Sequence, residues 1–252
     1  MKYRISSSVL ACLGALAGTL HADVLLGNAS DLELNEGNIL QTPATGPTIR
    51  AGASGSAPVG GRNGLFVFQL PDFGAISTPF LSADLGLYIA SLSGTPNYNV
   101  DLYGLGTQST PTLTLGSGVL STPRYYEGNA VDSSATLIQQ DFTLSGATAG
   151  VFKNTNATGD TNLLTFLNTM YASGTGANQY VVFRITPDAD LGNSAFIGFN
   201  YSSADAGTSA TIAGAGTAFD PVITYTAVPE PTSFFLLGSS LGALAFLRRR
   251  RA

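Results

Sequence analysis

Residues 178–186, NQYVVFRIT, place apolar side chains at every second position, with Val181, Phe183 and Ile185 in one register and Val182, Arg184 and Thr186 in the other. Successive side chains point to opposite sides only in an extended chain, so the run predicts a half-buried β-strand with Val181, Phe183 and Ile185 inward. The same alternation returns in FLSADLGLYIA (80–90), with Leu81, Ala83, Leu85, Leu87 and Ile89 inward, and further strands are expected at GLFVFQL, NYNVDLYGL, ATLIQQDF, AFIGFNY and DPVITYT. Clusters of Gly, Pro, Asn and Ser separate them, as turns require. One segment departs from this rhythm. In GDTNLLTFLNTMYASG (159–174), Leu163, Leu164, Phe166, Leu167, Met170 and Tyr171 recur at helical spacing, with Asp160 and Thr161 as caps and Ser-Gly closing the helix. Many strands with one short helix predict an all-β, two-sheet sandwich.

The two termini read differently from this body. Lys2 and Arg4 precede an apolar, glycine-interrupted stretch at 9–20 that is too short for a comfortable membrane span, and Ala22 supplies a small residue before a cut. That is the layout of a secretory signal peptide over residues 1–22, with cleavage between Ala22 and Asp23 by signal peptidase. A rival reading makes Cys12, behind Val-Leu-Ala, a lipoprotein acceptor, at the expense of an unusually short apolar region ahead of it. At the other end, residues 232–247 run without a charge. As a helix they would reach about 24 Å, against about 30 Å for a bilayer core, so the span is marginal and calls for local thinning or snorkelling. Arg248, Arg249, Arg250 and Arg251 then act as a membrane stop, held on the cytoplasmic side by the positive-inside rule.

Val-Pro-Glu-Pro at 228–231, an apolar helix and a terminal arginine cluster together resemble the PEP-CTERM sorting signal of Gram-negative, exopolysaccharide-producing bacteria. The resemblance covers residues 228–252. It implies that Pro229, Glu230 and Pro231 form the recognition motif of an exosortase, a membrane-embedded cysteine transpeptidase or protease. It also implies export across the inner membrane, a transient C-terminal anchor, and release to the cell surface or the extracellular medium.

The body, 23–227, is long enough for one substantial domain and short for two. If the signal is cut, Cys12 and His21, the only cysteine and histidine, leave with it. The mature chain then has no disulfide, no cysteine nucleophile, no histidine base and none of the usual zinc ligands, so packing has to stabilise it. Fifteen acidic residues face five basic ones (Arg50, Arg62, Arg124, Lys153, Arg184), a formal balance of −10, which excludes nucleic acid as a partner. Within it, GRNGLFVFQLPDFGAISTPFLSADLGLYIA followed by NYNVDLYGL is similar to the opening of DNRLRE-type, carbohydrate-binding-module-like jelly rolls. The later segments, YYEGNAVDSSATL, the helix, YVVFRI and DPVITYT, fall in that family's order over most of 60–226. This resemblance implies a jelly roll that attaches to, or lies alongside, larger extracellular polymers, and it carries over no catalytic residue.

Four stretches invite sharper readings. TPDADLGN brings Asp188, Asp190 and Asn193 together as an oxygen-rich loop able to take calcium, the competing reading being a solvated turn. STPRYYEGN offers Arg124, Tyr125 and Tyr126 as a ligand loop that stacks on a sugar ring, the alternative being partly buried tyrosines. DLELNEGN sets Asp31, Glu33 and Glu36 near the mature start, where alternation with Leu32 and Leu34 predicts an edge strand. AGASGSAPVGGRNG is glycine-rich, but it lacks the Gly-Lys-Ser ending of a phosphate loop and precedes a strand, so a flexible loop is expected.

Two classes of function follow. The preferred one is a non-catalytic, secreted or surface structural or adhesive protein sorted with exopolysaccharide, with glycan as a ligand. The alternative is a polysaccharide-active hydrolase or lyase using paired carboxylates. The tail makes its own prediction: changing Arg248, Arg249, Arg250 and Arg251 to serine should sharply lower tail removal, because nothing then holds the short span in register. Intact-mass analysis of the exported protein checks it, and unchanged processing would exclude the arginines as the stop.

Overall fold

The computed structural model describes residues 22–27, 31–35, 40–42, 48–53, 61–112, 135–188, 196–204 and 217–229. Twelve strands run as β1 (Ala22–Leu26), β2 (Leu32–Asn35), β3 (Leu40–Thr42), β4 (Thr48–Ala53), β5 (Gly61–Gln69), β6 (Phe80–Ser93), β7 (Val100–Gln108), β8 (Thr136–Thr143), β9 (Val151–Asn154), β10 (Tyr180–Pro187), β11 (Ile197–Ser202) and β12 (Val222–Ala227). A single α-helix, α1 (Ala157–Ala172), and a 3-10 turn at Thr217–Phe219 complete the described elements.

Every pairing is antiparallel, and the backbone of the order is β1-β12-β6-β11-β4-β5-β10-β7-β8. Beside that path β2 pairs with β5 and β3, and β9 with β6. The sandwich is therefore one continuous sheet curled around its own core. β6, fourteen residues long, is shared among three partners: β12 along its first half, β9 in the middle and β11 along its end.

Inside the curl lies an aromatic-rich core that includes Phe66, Phe68, Leu85, Leu87, Ile89, Phe183, Ile185, Phe199 and Tyr201. The expected inward set of β10, Val181, Phe183 and Ile185, is wholly buried here. The Phe183 ring meets Phe68 and Phe166 edge-on at 5.8 Å each. The opposite face departs from the half-buried expectation. Val182, Arg184 and Thr186 are also buried, because β2 brings Leu32 and Leu34 over Leu65, Val67, Tyr103, Leu105 and Val182 as a second apolar layer. A second correction falls on β6, where Leu81 is 46% exposed and Phe80 is buried in its place. The β12 register slips there, Thr226 facing Ser82 but Ala227 facing Phe80, and the unpaired residue turns outward.

α1 closes the open side of the core with Leu163, Phe166, Leu167 and Tyr171. Phe166 lies over Gly104, where any Cβ would come within 2.6 Å of its ring. The helix starts earlier than expected. Its cap is Asn156, whose side chain accepts from the N–H groups of Thr158 and Gly159, so Asp160 lies in the first turn and Thr161 just past it. Thr161, Thr165 and Thr169 each bond a carbonyl four residues back, which satisfies the hydroxyls of the outer face. Ser173 caps the C-terminus and Gly174, at φ +75°, breaks the helix. The glycine-rich stretch 51–64 is strand at both its ends, in β4 and β5.

Phe183→Ala should cost about 3 to 5 kcal/mol, since it removes a ring that touches both the sheet and the helix. Leu81→Ala should stay within about 0.5 kcal/mol, as its side chain lies outside the core. Urea unfolding followed by circular dichroism measures both.

Candidate functional site

Three carboxylates that are remote in sequence meet at one end of the sheet. Asp101 on β7, Asp141 on β8 and Asp188, one residue past β10, bring oxygens within 4.8 Å of one another. The ladder explains how. Thr186 of β10 faces Asp101, which carries Asp188 toward the same end. Between Val100 and Leu102 the β7–β8 register slips, and Asp141 takes φ +55° in the bulge. Its freed N–H donates to Asp101 Oδ1 at 2.7 Å. Asn99 binds the group together: its amide N–H donates to Asp141 Oδ1 at 2.8 Å, its carbonyl accepts from the Asp188 N–H at 2.9 Å, and its Oδ1 accepts from Ser145. The Tyr103 hydroxyl donates to Asp101 Oδ2 at 3.3 Å.

Crowding of this kind is visible in the protonation of the group. Desolvation first, and then the charge of Asp101, push the Asp188 carboxyl up to about 7. Asp101 is raised as well, by desolvation, against hydrogen bonds that work the other way. Burial, and then Asp101, push Tyr103 up to about 12. Such a set can share a proton, or give up its repulsion to a hard, oxygen-loving cation such as calcium. Of the residues expected to form the calcium loop, Asp188 takes part here, while Asp190 and Asn193 lie outside the described residues. Nothing in the sequence marks Asp101 or Asp141, since only the register slip brings them together.

The other acidic candidates, near the expected mature start, are corrected. Asp31 and Glu33 are buried, and β2 is flanked by β3 and β5, so it is no edge strand. Glu33 accepts from Arg50 Nε at 2.8 Å and from Arg62 Nη1 at 2.5 Å, and both guanidinium groups lie over the Phe196 ring. Asp31 accepts from the N–H groups of Val67 and Ala204. Glu36 lies outside the described residues, as do Arg124, Tyr125 and Tyr126.

At the C-terminal edge, β12 ends at Ala227 and the Val228 N–H donates to the Pro79 carbonyl at 2.8 Å. Pro229 is the last described residue, and Glu230, Pro231 and Arg248, Arg249, Arg250 and Arg251 lie beyond. Across the ladder, Ala22, the residue before the expected signal cut, faces Thr226, and Asp23 faces Tyr225. Among the described residues no helix is long and apolar enough to cross a membrane. The molecule is thus a curled β-body that ends directly in a terminal signal. Residues 227–251 match the PEP-CTERM protein-sorting motif, which supports an exosortase substrate and implies export and a surface or extracellular location. No curated protein matches the chain.

The carboxylate cluster should leave a signature in stability. A folded-state carboxyl raised from 3.8 to about 7 makes the folded body bind more protons than the unfolded chain between those values. Stability contributed by this group is therefore present below about pH 4 and is lost as pH rises toward 7. Asp188→Asn should flatten that slope and stabilise the metal-free protein at neutral pH, by no more than about 1 to 2 kcal/mol for so exposed a group. Urea titrations at pH 4 and pH 7.5 in chelator measure it.

Proposed function

We propose that the body is a non-catalytic structural or adhesive protein of the cell surface or extracellular matrix, sorted together with exopolysaccharide and binding glycan. The observation that carries this reading is the direct junction of β12 with the sorting motif: β12 ends at Ala227 and the match begins at 227. One β-body and one delivery signal thus share the described C-terminal edge. Its buried charges support the same reading, because they serve the fold. Glu33 is taken by two arginines, Asp31 by two backbone N–H groups, and the Arg184 guanidinium lies 5.0 Å over the Tyr103 ring.

A second reading, cleavage of polysaccharide by paired carboxylates, has one observation in its favour. Asp84 and Asp160 both meet the Thr155 hydroxyl, at 3.1 and 2.6 Å, beside a depression of 250 Å³. Leu81, Ser82, Ala83, Thr161, Leu164 and Thr224 complete its lining, which has no aromatic ring to hold a sugar. The bulk of the observations therefore favour the non-catalytic reading.

A glycan array probed with the processed protein separates the two, run with calcium and with chelator because Asp101, Asp141 and Asp188 are the donor set calcium would use. Retention of a polysaccharide with no release of reducing sugar is expected. Release of sugar that disappears in Asp84→Asn or Asp160→Asn would instead establish the hydrolase or lyase.

A further inference from the structure

β6 turns every second residue outward, and the outward row Ser82, Asp84, Gly86 and Tyr88 backs onto the buried set Ala83, Leu85, Leu87 and Ile89. The ladders extend this row sideways. Tyr88 faces Phe152 and Gly86 faces Asn154 on β9, while Gly86 faces Val222, Asp84 faces Thr224 and Ser82 faces Thr226 on β12. At one end of the face three rings meet, the Tyr88 ring lying 5.3 Å from Phe152 and 4.4 Å from Phe219 of the 3-10 turn. Phe152 is 41% exposed, Tyr88 and Phe219 are half-buried, and among the described residues nothing bonds the Tyr88 hydroxyl. Further along, Asp84 accepts from Asn154 Nδ2 at 3.0 Å and from Thr155 Oγ1 at 3.1 Å, and the Ser82 and Thr226 hydroxyls are 2.7 Å apart. Gly86 separates rings from carboxylate. A Cβ there would stand 3.0 Å from Asn154 Oδ1, 3.1 Å from Val222 and 3.5 Å from Phe152, so its missing side chain lets the amide and the ring close in over the strand.

Rings in a row with an amide, a carboxylate and hydroxyls suit a sugar chain. A pyranose has an apolar C–H face that packs on an aromatic ring, and hydroxyls at its rim that pair with groups in its plane, where a carboxylate accepts and an amide both donates and accepts. A wholly apolar partner would instead leave Asp84 and Asn154 desolvated without compensation. Charge selects among sugars. Among the described residues no basic side chain stands on this face: Lys153 faces Leu87 and so lies on the other side of β9, Arg50 and Arg62 hold Glu33, and Arg184 is buried. A uronate-rich chain or an anionic membrane would meet Asp84 with no cation to offset it. Tyr88 and Asp84 stand about 13 Å apart along the strand, at about 3.3 Å per residue, a distance that one sugar ring does not bridge. We propose that the outer face of β6, β9 and β12 is a binding site for a neutral polysaccharide: Tyr88, Phe152 and Phe219 hold the face of one sugar, and Asp84 and Asn154 take the hydroxyls of another unit of the same chain. The depression that Asp84 shares with Asp160 lies at the end away from the rings. This inference rests on the glycan-binding reading and gives it a location, a direction along β6 and a class of ligand.

Affinity electrophoresis of the exported protein tests this, in gels carrying a neutral β-glucan, a neutral galactomannan or dextran, with alginate as the anionic counterpart. At least one neutral polysaccharide should retard the parent, and alginate should not. Phe152→Ala and Tyr88→Ala should each weaken that retardation by about tenfold, the loss of a stacking ring, with circular dichroism unchanged. Leu137→Ala, at an exposed position on β8, should behave as the parent. Should a ring variant lose its β-signal, Asn154→Ala, exposed on β9, carries the same test and should weaken retardation severalfold. Retardation by alginate alone, or full retardation of the folded variants, would overturn the proposal. So would concentration-dependent dimerisation that the ring variants abolish, since it would give the face to a second copy. A parent that no polysaccharide retains, in these gels or on the array, fails the glycan-binding reading itself, whereas a retarded parent beside unaffected ring variants fails this inference alone.

Discussion

Everything on the outer side of this sheet depends on one buried carboxylate. Glu33 has no exposed surface, yet it sits on a short strand that would otherwise have little to hold it. A carboxylate removed from water without partners costs several kcal/mol, and Arg50 and Arg62 offset that by donating from β4 and β5. The backbone N–H of Arg50 adds a third bond at 3.2 Å, and Phe196 lies beneath both guanidinium groups. Asp31, two residues earlier, accepts the N–H groups of Val67 on β5 and of Ala204, just past β11. Polar anchors thus fix where β2 lies, and its position decides whether Leu32 and Leu34 cover the sheet or face water.

That dependence explains what could be read in the sequence and what could not. The strands were legible, because alternation is a property of a few adjacent residues and Val181, Phe183 and Ile185 carry it unaided. Alternation says which side chains share a face but not whether anything covers the other face. Val182 and Arg184 are buried by residues more than a hundred positions earlier, and β2 itself reads as a solvated edge because Asp and Glu alternate with leucine. The helix was legible over its apolar stripe, but its first turn was hidden behind Ala-Thr-Gly. Gly159, a poor helix residue, is required there because a Cβ would collide with Gln139 Oε1, which in turn accepts the Asn156 N–H at 2.7 Å. Of the carboxylate cluster only Asp188 could be suspected, since its partners depend on a register slip that no local pattern announces.

Without cysteine, an exported domain must obtain rigidity elsewhere, and here aromatic contacts concentrate where the helix, β6 and β12 converge. Phe73, Phe80, Tyr171 and Tyr225 form a connected set with centroid separations of 5.1 to 6.2 Å. Asn168 grips the Phe80 backbone from both sides, donating to its carbonyl and accepting from its N–H, and the Tyr171 hydroxyl donates to the Pro71 carbonyl. Edge-on aromatic pairs add about 0.5 to 1.5 kcal/mol each beyond their burial, so four rings in mutual contact can supply stabilisation of the order that a disulfide would.

The location of that cluster bears on how the tail can be discarded. Phe80 faces Ala227 across the ladder, so the best-braced corner of the body is the one from which the sorting motif departs. Tyr225 is the last residue of the buried core and Ala227 the last to pack against it. A cut beyond Val228 removes no core side chain and leaves the Val228–Pro79 hydrogen bond in place. The packing that keeps the body folded is consequently complete by Val228, ahead of the Pro229–Pro231 triplet, so a cut beyond that point costs the core nothing.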